Sequence, residues 1–80
     1  MSDAMIPSWY HRDIIAPITD ADKEAVRASQ RIMGIPETGC LDGPTKARLR
    51  GFQGLFRLPQ TGVLDRATAT VLEGIRSHHA

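Results

Sequence analysis

Cysteine is nearly absent: Cys40 stands alone in 80 residues, which rules out an internal disulfide. Aromatic residues are scarce as well, with one Trp, one Tyr and two Phe, and a chain of this length builds one small domain with a modest core. Neither sign of charge is in excess. Lys and Arg number 10 against 9 Asp and Glu, a formal net charge of +1, whereas a generic nucleic-acid binder carries a clear basic surplus. No apolar run is long enough to cross a bilayer. The N-terminus lacks the charged-then-apolar order of a signal peptide, so export of the chain as written by the common secretory route is not expected. HExxH, a Gly-rich phosphate loop and Cys/His ligand spacing are all missing. The neighbouring His78 and His79 do not share a helix face, and His11 is remote in sequence. No metal site or cofactor is expected.

What is present is a repeat. A shift of 23 residues lays Ile35-Pro36-Glu37-Thr38-Gly39 on Leu58-Pro59-Gln60-Thr61-Gly62, and Leu41, Asp42, Thr45 and Leu49 on Leu64, Asp65, Thr68 and Leu72. The same shift carries Lys23, Val26, Arg27, Gln30 and Ile32 onto Lys46, Leu49, Arg50, Gln53 and Leu55. The chain from about Thr19 therefore holds two full copies and the helix of a third, units that bury their apolar faces against one another. Asp42 and Asp65 stand where a carboxylate caps a helix N-terminus. Thr19 with Asp22 three residues on forms a capping box with Asp in place of Glu. Pro44 suits a first helical turn, and Gly39 and Gly62 suit a turn that needs positive φ or close backbone approach.

These signals predict an all-α fold: a small three-helix repeat domain with short turns or minimal extended pairing, preceded by an extended N-terminal arm. The arm is residues 1–18, the repeat domain 19–77 and the tail 78–80. Helices are expected from about Asp20 to Met33, stopped by Gly34 in the left-handed region, from about Gly43 to Phe56, and from about Arg66 to Ser77. Leu49, Phe52 and Phe56 are expected at the centre of the core, with extended pairing at Cys40 and Leu41. Cys40 aligns with Val63 and is read as a small buried apolar residue. Ala28, Gly51 and Gly74, equivalent and small, are read as letting helices approach closely. No acid occurs between Gly43 and Leu64, while Lys46, Arg48, Arg50 and Arg57 do. This basic surface is either a solvated helix face or a site for an anionic partner.

The arm is too apolar for a plain disordered tail, and Pro7 and Pro17 exclude one long helix. Two readings stand open. It folds back and enlarges a thin core, which Ile14 to Ile18 favour. Alternatively it docks on another chain through Ile6, Trp9, Tyr10, Ile14 and Ile15, Trp and Tyr being favoured interface anchors. Asp42 and Asp65 could be taken for the carboxylate pair of a glycoside hydrolase, but repeated capping explains both. So small a domain also has little concave space for catalysis, and a non-enzymatic chain is expected.

The segments Val26-x-x-x-Gln30-x-x-Met33-Gly34, Thr38-Gly39-x-Leu41-Asp42-x-x-Thr45, Phe52-Gln53 and Leu58-Pro59-x-Thr61-Gly62-x-Leu64-Asp65-x-x-Thr68-x-x-x-Leu72 resemble the peptidoglycan-binding domain family. The resemblance runs from about Thr19 to Ile75. It implies a three-helix module that binds peptidoglycan, or another cell-wall polymer, without catalysis, an attached enzyme supplying the chemistry. By position, Arg27, Gln30, Arg50 and Gln53 could reach a glycan or stem peptide; alternatively, Gln30 and Gln53 hydrogen-bond a neighbouring turn. Ser29 departs from the family's larger apolar residue and thins the first half of the core. With no catalytic domain, linker or export signal alongside, display on a bacteriophage particle is an expectation, the arm gripping a capsid or tail protein. Localisation is otherwise left open, with no membrane partner. The alternatives are a structural virion protein, such as a capsid decoration or head–tail component, that keeps the fold without glycan binding, and a small nucleic-acid-binding protein using the second helix.

Overall fold

A computed structural model describes residues 7–79 of the chain, with side chains through Arg76. Three helices follow one another: α1 (Asp20–Met33), α2 (Gly43–Leu55) and α3 (Arg66–His79). The expected all-α fold is thus observed, with α2 ending one residue earlier and α3 two residues later than the sequence pattern indicates.

Each helix begins where its cap dictates. Thr19 accepts a hydrogen bond from the Asp22 N–H, and the Asp22 carboxylate accepts from the Thr19 N–H in return, completing the capping box. Asp42 accepts from the Thr45 N–H at 3.0 Å, and Asp65 from the Thr68 N–H at 2.9 Å. α1 closes in a Schellman motif: Gly34 takes φ 74°, its N–H bonds the Arg31 carbonyl, and the Ile35 N–H bonds the Gln30 carbonyl. α2 closes in the same way one repeat later, but with Arg57 in the left-handed position at φ 60°. Its N–H reaches the Gly54 carbonyl, and the Leu58 N–H reaches that of Gln53.

Val26, Leu49 and Leu72, one equivalent residue from each helix, are fully buried together with Ile14, Ala25, Leu64 and Ala69. A fully buried Val, Leu or Ile is worth about 1.5–3 kcal/mol over its exposed state. Ser29 is also fully buried, its hydroxyl donating to the Val26 carbonyl at 2.7 Å. Phe52 and Phe56 do not join Leu49 at the centre. Phe52 is half-buried at the margin and Phe56 is 43% exposed, because α2 has ended before it. The extended pairing is not at Cys40 and Leu41 either. It joins Ile14 of the arm to Leu64, with N···O distances of 2.9 and 3.2 Å. Cys40 is exposed rather than buried. Gly51 and Gly74 have open space where a Cβ would stand, so they do not mark a close approach between helices.

The repeats are joined by buried carboxamides. Gln30 Nε2 lies 3.0 Å from Thr38 Oγ1, 3.0 Å from the Cys40 carbonyl and 2.9 Å from Thr45 Oγ1, while its Oε1 accepts from the Gly39 N–H at 2.9 Å. Gln53 repeats the pattern with Thr61, the Val63 carbonyl, Thr68 and the Gly62 N–H. One side chain thereby fixes a turn and the first turn of the next helix. Gln53→Ala strands the Gly62 N–H and the Val63 carbonyl, and is expected to cost about 2–4 kcal/mol in urea unfolding. A cost below about 1 kcal/mol would show the carboxamide to be dispensable. At the end of α2 the expectation has the opposite sign. Arg57→Gly removes a left-handed penalty of about 1–2 kcal/mol against the added chain entropy of Gly, so the melting temperature should rise; a fall would refute the strain.

Candidate functional site

Gln30 and Gln53 are completely buried and saturated by the turns they hold. They are structural pins rather than ligand contacts, which corrects the first of their two sequence readings. Arg27 and Arg50 lie over the glycine turns: a Cβ on Gly39 would strike the Arg27 guanidinium, and one on Gly62 would crowd that of Arg50. With φ of 77° and 74°, both turns require glycine. Arg27 is paired with Glu24. Arg50 has Ala47 at the equivalent position three residues before it.

The described part of the arm lies on its own domain. Ile14 is fully buried in the core, so it is not a docking residue. Trp9 is half-buried, its indole N–H donating to Glu73 Oε1 at 3.1 Å. The Tyr10 hydroxyl donates to Asp13, which together with partial burial pushes its pKa up to about 12. Asp13 in turn accepts from the Arg66 N–H at the start of α3. Ile15 is 72% exposed. Ile6 falls outside the described residues.

The arm is clamped at Asp22, which is fully buried. Its carboxylate accepts from the Ile18 and Thr19 N–H groups at 2.9 and 3.1 Å, from both Nε and Nη2 of Arg12, and lies 2.6 Å from His11 Nε2. These partners, the Ile18 N–H foremost, hold the carboxyl well below the usual range even though burial alone would raise it.

An open groove runs along α2. Pro44, Ala47, Arg48, Gly51, Phe52 and Leu55 line about 570 Å³. Leu55 is 72% exposed beside it. Arg48 is steadied by a bond from Nη1 to the Met33 carbonyl at 3.3 Å. On α1 the equivalents of Gly51 and Leu55 are Ala28 and Ile32. There the arm and α3 close over the face and leave a smaller pocket of about 190 Å³, lined also by Ser8, Trp9, Arg31 and Arg76. The basic half of the α2 surface was legible as an acid-free stretch; its apolar floor was not, because Phe52 reads as core. The signal that could have found it is Ala47, Gly51 and Leu55, four apart on the side of α2 away from Leu49 and Gln53.

Among known proteins, the family described as putative peptidoglycan binding domain matches residues 41–72, less than half of the chain. The matched stretch takes in α2, the second Thr-Gly turn and α3 as far as Leu72. The chain is thus similar to this class of binding domain over its second repeat, as its motifs indicate. No curated protein and no solved structure matches the chain.

Because the folded pKa of Asp22 is depressed, its contribution is complete above the ordinary carboxylate range near pH 4 and is lost as pH falls through the folded value. Thermal stability should hold from pH 7 to about 5 and drop below about 4. Asp22→Asn should lower stability at pH 7 and make that acid limb shallower without abolishing it, since Glu37, Asp42 and Glu73 are shifted in the same direction. An acid limb as steep as that of the unaltered chain would assign the loss to those other carboxylates.

Proposed function

We propose that the chain is a non-catalytic module that binds peptidoglycan along the open face of α2, with residues 19–77 as the module and residues 1–18 as an arm before it. The observation that carries this reading is coincidence of place: the stretch similar to the peptidoglycan-binding family contains the helix that presents the groove. The chemistry is suitable. Ala47, Phe52 and Leu55 offer an apolar floor to the C–H face of a sugar ring and to acetamido methyl groups. Arg48 at the edge offers N–H donors to a carboxylate. No acid between Gly43 and Leu64 opposes an anionic polymer. The matched family is described by binding, and that supports a module without a reaction of its own. A place on a phage particle draws no support from the family match, nor from the arm, whose Trp9, Tyr10 and Ile14 pack on the chain's own core.

Co-sedimentation with insoluble sacculi tests this. The chain should pellet at low salt and lose little binding at moderate salt, since the apolar floor rather than paired charge supplies most of the affinity. Leu55→Asp, at an exposed position, should weaken pelleting about tenfold or more while leaving the helical circular dichroism intact. A chain that stays in the supernatant at both salts defeats the proposal. Equal pelleting by the variant moves the site off α2.

A further inference from the structure

The pocket between the arm, α1 and α3 has a character the α2 groove lacks. Ala28 and Ile32 form its floor, the Trp9 indole is one wall, and Arg31 and Arg76 stand at its edge. The indole is held in place by its N–H bond to Glu73. Both guanidiniums are held in the same manner. Arg31 gives Nε and Nη2 to Glu37, and Arg76 gives Nε and Nη2 to Glu73. Nη1 of each has no acceptor among the described residues. Both cations line the same pocket, each paired on one edge with its glutamate and open on the other.

We propose that this pocket binds a small aliphatic carboxylate: the C-terminus of a short peptide, with its alkyl side chain on Ala28, Ile32 and Trp9 and its carboxylate on the free edges of Arg31 and Arg76. At about 190 Å³ the pocket is a third the size of the α2 groove, which suits a small terminal residue such as alanine. The fixed guanidiniums lose little freedom on binding, which favours the interaction. The stem peptides of a bacterial wall carry such termini, so within the wall-binding reading the pocket takes a peptide end while α2 takes the glycan. That link rests on the reading above; the carboxylate site itself does not.

Trp9 is the only tryptophan in the chain and reports on its own pocket. N-acetyl-D-Ala-D-Ala titrated into the full chain should change the Trp9 emission with half-saturation of about 1 mM. The C-terminal amide of the same peptide, at equal ionic strength, should bind at least about tenfold more weakly. Arg31→Gln and Arg76→Gln, both at exposed positions, should each weaken the acid about tenfold with circular dichroism unchanged. Equal response to acid and amide overturns the proposal, as does no response to either at 20-fold the expected half-saturation. An equal response to inorganic sulfate overturns it too, since that is the behaviour of an unselective basic surface. Sacculus binding by the same variants separates the two proposals. Acid-selective titration by a chain that never pellets leaves the carboxylate site standing and the wall reading defeated. Pelleting without acid selectivity does the reverse.

Discussion

The fold depends on a carboxamide buried between a helix and the turn that follows it. Gln30 and Gln53 each accept from a glycine N–H and offer their amide hydrogens to a carbonyl and two threonine hydroxyls. In water these groups would all be solvated. In the interior an unmatched member costs about as much as several exposed contacts provide. The register of one repeat on the next is therefore set by hydrogen-bond matching as much as by the packing of Val26, Leu49 and Leu72. A glutamine also tolerates no slip, because its donor and acceptor ends must both arrive correctly.

The first repeat has no earlier glutamine to receive, and there the chain improvises. Thr45 and Thr68 meet the amides of Gln30 and Gln53; their equivalent, Asp22, meets the guanidinium of Arg12 instead. The arm takes the place of a missing neighbour, with an ion pair where the inner repeats use neutral groups. A buried carboxylate is tolerable only with such a set of donors. A fully buried carboxylate at the start of the domain thus adds to the acid sensitivity that Glu37, Asp42 and Glu73 also carry. The half-buried Trp9, apolar enough to be taken for an interface anchor, is accounted for locally by its bond to Glu73 and its place over α1 and α3.

Features governed by neighbours a few residues away were legible in the sequence. Caps at Thr19, Asp42 and Asp65, the stop at Gly34 and the turns at Gly39 and Gly62 follow from side chains that satisfy backbone groups in reach. What depends on distant partners was not. Helical spacing put Phe52 and Phe56 beside Leu49, but spacing cannot say which face another element covers, and among the described residues no element covers the α2 face. Alignment with Val63 did not reveal that Cys40 would be exposed. Neither did it reveal that Arg57 would occupy the conformation Gly34 holds one repeat earlier. The candidate ligand set divided in the same way. The two glutamines were drawn inward by bonds to turns that their own spacing had suggested. The groove was hidden because an apolar residue looks the same in a sequence whether it is covered or bare.

The bridge between Ile14 and Leu64 changes how such a chain comes apart. Stacked helical repeats make a linear array, and linear arrays fray from their ends, each unit leaving with its own modest free energy. Here the arm before the first repeat is hydrogen-bonded to the turn before the last helix, and Ile14 sits in the core all three helices share. That tie between the two ends of the repeat favours unfolding of the three helices as one cooperative unit despite their modular sequence. The same closure burdens synthesis: residues far apart in the chain must both be present before the core is complete, so the module cannot be assembled one repeat at a time as it emerges.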